Sequence, residues 1–315
     1  MKNSIKAGLG TSLLKIDHSW ANKPHEVTDF EIKAAANPKK VVVGGGGIGG
    51  LCCAYELMKM GHEVTVLEAS GRHGGHVYTA HDELSDGLYG DYGQEHITKP
   101  GYDRYWAYIS EFGLTALPYS RRKNVLRSIK GKFYDEAMLQ DPSILKQMGF
   151  NSREVDFLSK NPWGELKSLY TAPYLDKFTD EYQPFGIGYD ALDLVPMSDI
   201  YKKAGASAAA MERLGGQNSS ALYELWNSAI LKLRGVSEYP IEVYRLQGGN
   251  QMLPNAFAKR LGPRVWLNRQ ITEVQNGGEN VKVTYQENTE TKTITADYFV
   301  NCIPPPAFKK IPVQP

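Results

Sequence analysis

Gly45, Gly47 and Gly50 set a G-x-G-x-x-G spacing inside Lys39–Gly50, KKVVVGGGGIGG, and Leu51-Cys52-Cys53-Ala54 follows it. The apolar Val41–Val43 ahead of the glycines reads as a strand, and Ile48–Met60 behind them as a helix with Gly61 as its C-cap. In that setting the first glycine permits a tight turn and the second lets a pyrophosphate approach the backbone. The third lets the helix pack on the strand. Ile48, Gly49 and Gly50 open the helix, where unpaired N–H groups and the positive dipole end suit an anion. A second strand, Glu63–Leu67, ends at Glu68, 23 residues after Gly45. That is about where a ribose-binding carboxylate belongs.

Glu68 also begins Glu68-Ala69-Ser70-Gly71-Arg72-His73-Gly74-Gly75, an E-A-x-x-R-x-G-G run. Together with the first glycines it resembles the flavin-side signature of the amine oxidase superfamily, which includes monoamine oxidases and L-amino-acid oxidases. The resemblance implies FAD as cofactor, with Gly45, Gly47, Ile48, Gly49, Gly50, Glu68, Ala69, Arg72, Gly74 and Gly75 around it. It implies an α/β fold: a Rossmann-like FAD-binding domain of the glutathione-reductase type with an inserted helical substrate domain. A second match lies far along the chain. Gly248-Gly249-Asn250-Gln251-Met252-Leu253-Pro254 is similar to the G-G-x-x-x-L-P run that opens that family's return to the flavin domain. Leu267–Val274 is similar to its L-N-x-x-V-x-x-I strand, so Ile271 would make a backbone contact to adenine. The resemblance runs from about Lys39 to the C-terminus. It is specific at its two ends and loose in the middle.

Two departures stand out. Relatives usually place an arginine after the second glycine pair; here His76 stands there, shorter and mostly neutral at pH 7. The stretch Asp91–Pro100 falls where the family threads past the flavin ring, so Gly93, Gln94, Glu95 and His96 are expected to line the flavin. L-amino-acid oxidases carry an arginine there that clamps the substrate carboxylate. Counting from Gly93, that place falls on His96, a poor carboxylate clamp, with Lys99 nearby. Glu95 would suit a cationic amine. The same residues read equally well as an ordinary solvated loop.

Composition narrows the alternatives. With 42% hydrophobic and 23% charged residues the chain should fold as a soluble globule. A net charge of +1 gives no reason to expect nucleic acid or an anionic membrane as partner. The three cysteines make no disulfide framework and read as small buried apolar residues. No apolar run approaches the roughly 18–20 residues of a membrane span. The seven histidines show no H-E-x-x-H or C-x-x-C spacing, so no metal is expected. Residues 1–38 read as a polar lead-in. Met1–Leu14 is at best a degenerate export signal, and a cytoplasmic location is expected.

The elements that must position these residues follow in order. Val77–Thr79 and Leu88–Tyr92 read as short strands around a turn at Asp82–Gly87. Gly101–Phe112 reads as an amphipathic helix with Tyr102, Tyr105, Trp106 and Ile109 as its core face. Val125–Tyr134 suggests a hairpin turning at Gly131. Beyond Pro142 strand patterns vanish, and helices are expected at 142–148, 152–159, 163–176, 197–213 and 218–234, where Trp226 reads as core. Arg121-Arg122-Lys123 reads as an exposed turn. Strand patterns return at Glu242–Arg245, Val265–Leu267, Ile271–Val274, Val281–Gln286 and Thr291–Val300, with a helix ending near Leu261. The expected division is a flavin domain from 39–100 and 241–315, with a mostly helical substrate domain at 101–240.

The function expected from the resemblance is oxidation of a C–N bond in an amine or amino acid, with O2 as acceptor. Relatives continue well past the segment matching Asn301–Pro306, adding a closing glycine-rich strand and helix. The chain is therefore expected to be a fragment, one piece of a split enzyme, or a truncated product. A homodimer or a complementing C-terminal chain is the expected protein partner. A non-catalytic FAD-binding chain and an enzyme acting on C–C bonds, as a desaturase or protoporphyrinogen oxidase does, are the alternatives.

Overall fold

The computed structural model describes residues 35–81, 84–120 and 124–315. The export-signal reading of Met1–Leu14 and the Arg121–Lys123 turn lie outside them. Two compact units are present. The first takes its described residues from 35–94, 103–115 and 246–315, the second from 95–102 and 116–245.

The first unit is built on a parallel sheet in the order Tyr298–Asn301, β1 (Lys40–Gly44), β2 (Glu63–Leu67), Val265–Trp266. Val41, Val42 and Val43 are all buried. A continuous apolar run of this kind belongs to a strand covered on both faces. α1 (Ile48–Lys59) connects β1 to β2 and buries Leu51, Ala54, Tyr55 and Met58, a single helical stripe. Gly61 stops it: with φ +84 its N–H donates to Met58 C=O, while His62 N–H reaches Leu57 C=O. That double closure is a Schellman cap, which needs the left-handed residue that glycine supplies.

The helix Asp103–Glu111 belongs to this unit, not to the helical segment with which its sequence grouped it. Its expected core face is also shifted. Tyr102 is exposed, outside the helix and at φ +58, and of the four residues only Ile109 is buried. Because the helix starts at Asp103, Tyr108 and the Phe112 beyond its end face inward with Ile109. Tyr55 packs edge-on against Phe112 and Phe257 at 5.4 Å each. A second sheet runs Glu290–Ala296, Val281–Glu287, Arg269–Asn276, Val313–Gln314. Its core joins Val281, Val283 and Tyr285 to Val42, Leu67 and Ile271. The expected strand Thr291–Val300 is two strands in two different sheets. Asp297 makes the break: its N–H donates to Lys40 C=O and its carboxylate accepts from Lys40 N–H at 2.7 Å.

The second unit is mostly helical. Pro142–Gln147, Ser152–Leu158, Met197–Lys203, Ala208–Leu214 and Ala221–Leu233 surround a core of Leu145, Leu158, Leu166, Met197, Leu222 and Leu225. The expected helix 197–213 breaks into two at Gly205, φ +77. The stretch expected as one helix at 163–176 is 3-10 turns flanking a short α segment, Ser168–Thr171. Pro173, which has no N–H to donate, lies in the second 3-10 segment. The hairpin Arg127–Ile129 with Lys132–Tyr134 turns at Lys130 and Gly131, both at positive φ, the two-residue geometry that matches strand twist. Trp226 packs on the core and donates its ring N–H to Glu181 C=O at 2.8 Å.

Candidate flavin site

Each glycine of the first loop meets a different constraint. Gly45 has φ +102, donates its N–H to Leu67 C=O at 2.8 Å, and a Cβ there would stand 2.9 Å from Cys302 O. A Cβ on Gly50 would fall 1.9 Å from Gly45 O. Those two residues are glycine because the turn and helix need the space. Gly47 is different. It is extended, φ −70 and ψ 174, and its Cβ would meet only Gly75 Cα, at 3.8 Å. A Cβ on Gly49 would meet nothing within 4 Å. No side chain caps α1 and no acid stands in its first turn. Leu51 N–H is the donor that closes on Gly47 C=O. Three N–H groups before it have no partner inside the helix.

The second glycine pair lies against the first. Gly74 N–H donates to Gly46 C=O at 2.8 Å, and Gly47 bridges Gly74. Gly74 and Gly75 are both at positive φ. Arg72 is exposed; its guanidinium donates to Gly75 C=O at 2.8 Å and lies 4.8 Å from the Tyr78 ring centroid. Here Arg72 braces the loop from its own side. His76 is exposed, and a Cβ on Gly93 would fall 1.6 Å from His76 O. Gly93 is thus glycine for backbone passage. Glu68 Oε2 accepts Gly46 N–H at 2.7 Å, while Oε1 accepts from the Ser70 N–H and hydroxyl. Ala69 is exposed beside it. The carboxylate therefore sits at the mouth of the first loop. Ile271 is 4% exposed and pairs with Tyr285 of the neighbouring strand. The strand bulges between Ile271 and Glu273.

The expected flavin-lining stretch is divided. Gln94 lies in the first unit, its C=O accepting from Asn250 Nδ2 at 2.9 Å and its side chain from Tyr105 OH at 3.1 Å. Glu95 and His96 belong to the second unit, not to the domain with which 39–100 grouped them. There Glu95 C=O accepts from Tyr119 OH, and His96 Nδ1 lies 3.6 Å from Glu95 Oε1. Lys99 is exposed.

A buried network went unread in the sequence. Asn250, fully buried, holds Leu246 N–H through Oδ1 and Gln94 C=O through Nδ2. Asp91 accepts from Thr79 Oγ1 and Asn250 N–H, and Gln251 N–H donates to Thr79 Oγ1. The G-G-x-x-x-L-P run was the available signal. Gly249 is its glycine of necessity, since a Cβ would lie 2.2 Å from Thr79. A pocket of about 300 Å³ opens beside this network, lined by Arg72, Tyr78, Gln251 and Asn255 among others.

The three cysteines are free and partly buried, where buried apolar residues were expected. Burial raises the Cys52 pKa, and its thiol donates to Tyr108 OH at 3.3 Å. Cys53 and Cys302 face each other, and the Cys53 thiol lowers the Cys302 pKa to about 7. Among the described residues no cluster of three or more His, Cys, Asp or Glu could hold a metal, and no helix is long and apolar enough to cross a membrane.

The family model for flavin containing amine oxidoreductases matches residues 48–315. The chain belongs to that family. Among curated relatives of this chain are L-amino-acid oxidases from Bungarus fasciatus, 28% identical, and Naja atra, 29% identical. Each match covers 92% of this chain but only 55% and 56% of the relative. Among solved structures, putrescine oxidase bound to putrescine gives a TM-score of 0.69 at 21% identity, over 89% of this chain and 61% of that one. Cyclohexylamine oxidase from Brevibacterium oxydans IH-35A gives 0.67 at 20%, over 88% and 60%. At such identities these structures share the mixed α/β fold. The residues present fit a flavin dinucleotide: an uncapped helix end, open space beside Gly47 and Gly49, and the Glu68 carboxylate on the Gly46 N–H.

Proposed function

We propose that this chain carries the FAD-binding part of an oxidoreductase that oxidises the C–N bond of a small amine or amino acid. The observation that carries the reading is the pair of facing glycine loops at Gly47 and Gly75, with Glu68 beside them. Bound FAD would accept hydride from the substrate and return electrons to O2, the expected acceptor. The chain's residues would bind and orient it. The Ile48–Gly50 amides would take the pyrophosphate, Glu68 the ribose, and the Ile271 backbone the adenine. Arg72 and His76 would flank the phosphates, and Gly93 and Gln94 would border the ring.

An amine is favoured over a free amino acid. His96 stands where the amino-acid-specific relatives are expected to carry a clamping arginine, and Glu95 lies 3.6 Å from it. A carboxylate beside a ring nitrogen attracts an ammonium and repels a carboxylate. The chain spans little more than half the length of the curated relatives. A flavin-binding chain that turns over only with a complementing C-terminal segment is therefore the second reading.

The test is the visible spectrum of the purified chain, with FAD added and free FAD then removed by desalting. A retained flavin spectrum is expected, followed by peroxide release with a panel of monoamines and diamines. A folded chain that stays colourless overturns the FAD reading; a yellow chain without turnover selects the second reading. Glu68→Ala is expected to weaken FAD by about 1–3 kcal/mol, the worth of a charge-assisted hydrogen bond. Because Glu68 also holds Gly46 and Ser70, the melting temperature is measured alongside. An unchanged dissociation constant would reduce Glu68 to a structural role.

A further inference from the structure

Ser228 lies on the helix Ala221–Leu233 in the second unit, 2% exposed, and its hydroxyl has no hydrogen-bond partner among the described residues. A serine in a helix ordinarily bonds the carbonyl one turn back or meets water. Ser228 bonds no carbonyl of the described residues, and it lines an open pocket of about 350 Å³. Glu238 lines the same cavity, and its buried Oε1 likewise has no partner among the described residues. Two buried polar atoms with bonding capacity to spare thus line one pocket, and an occupant that donates to them is favoured there.

The rest of the wall decides what that something is. Glu165 adds a second carboxylate, held in place by the Ser168 and Ser237 hydroxyls and the Tyr239 N–H. The only cation of the wall, Lys232, is paired to Asp176. The cavity is therefore net negative. Leu175, Leu231 and Val236 supply an apolar side. Among the described residues no group of three ligands suits a metal. We propose that this cavity binds a small organic ammonium ion, its head on Glu238, Glu165 and Ser228 and its alkyl part on the leucines. The site shares no residue with the glycine loops and stands independently of the flavin reading.

The experiment is calorimetric titration of the 315-residue chain with n-butylammonium chloride, against n-butanol and sodium chloride. Saturable one-to-one binding of the ammonium is expected in the natural chain and in a Gly47→Val variant, whose altered position lies in the flavin loop. Glu238→Gln is expected to weaken binding by about tenfold or more, and Ser228→Ala by about two- to tenfold, as loss of a charged and a neutral hydrogen bond would. Melting curves show which variants fold, and Ser228→Ala decides the matter should Glu238→Gln unfold. No saturable heat, n-butanol binding as tight as the ammonium, loss of binding in a folded Gly47→Val, or an unchanged constant in folded Glu238→Gln and Ser228→Ala would overturn the proposal.

Discussion

Replacing Gly47 with valine is expected to abolish flavin binding while the chain stays folded. The argument rests on what a side chain would meet. At Gly50 a Cβ runs into Gly45 O at 1.9 Å, so Gly50→Ala should damage the turn itself. At Gly47 the backbone is extended, which valine adopts readily, and the nearest atom to a new Cβ is Gly75 Cα at 3.8 Å. The protein has room for a Cβ there; a pyrophosphate lying on the same backbone leaves none. Valine is a weaker helix cap than glycine, a loss of about 1 kcal/mol or less. Flavin affinity should instead fall by more than about 100-fold, roughly 2.7 kcal/mol or more. Gly49→Ala is the companion, since a Cβ there meets nothing within 4 Å. Retention of flavin at normal stoichiometry in Gly47→Val would mean that the facing loops do not hold the phosphates.

Glu154→Ala is expected to destabilise the helical unit by about 3–5 kcal/mol. The residue is fully buried. Its carboxylate accepts Asn151 N–H and Ser207 N–H at 2.8 Å each, and Tyr170 OH at 2.5 Å. The Asn151 side chain caps the same helix by accepting Glu154 N–H. Removing the carboxylate strands three donors, each costing about 1–3 kcal/mol when left unmet. Burial by itself would raise the Glu154 pKa, but the hydrogen bonds from Ser207, Tyr170 and Asn151 outweigh it and hold the group below its ordinary value. A depressed folded pKa stabilises the fold above the unfolded value, and that share is lost as pH falls through the folded one. The natural chain should therefore lose stability below about pH 4, and the variant should lack that share of the acid dependence. Urea denaturation followed by far-ultraviolet circular dichroism at pH 7 and pH 4 measures both. A change under about 1 kcal/mol at pH 7 would show that the network is not holding the unit.

The first glycine loop was legible because its requirements are local. A positive φ at Gly45 and a helix–turn contact at Gly50 are demands that only glycine meets, and they recur at fixed spacing. The same holds for the Lys130-Gly131 hairpin and for the end of α1 at Gly61. Glu95 and His96 were harder. They continue directly from Gln94 in sequence, and nothing in their types marks the boundary between the two units. Nor did the sequence announce that the Arg72 guanidinium would donate to Gly75 C=O and lie over the Tyr78 ring.

By itself the amino-acid sequence determined the strand–turn–helix, the acid that follows it, the second glycine pair and the helical character of the middle. Each is written in neighbouring residues, where backbone geometry and apolar spacing act directly. Only the tertiary structure decided that Thr291–Val300 divides at Asp297, with Tyr298 beside Val41 and Ala296 beside Val281. It alone brought Asn250 to Gln94 and gathered Ser228, Glu165 and Glu238 around one cavity. The physical reason is that periodicity records which face of a segment is buried, not which distant segment covers it. Partners as distant as Gln94 and Asn250, or Val41 and Tyr298, are chosen by the packing of the whole unit.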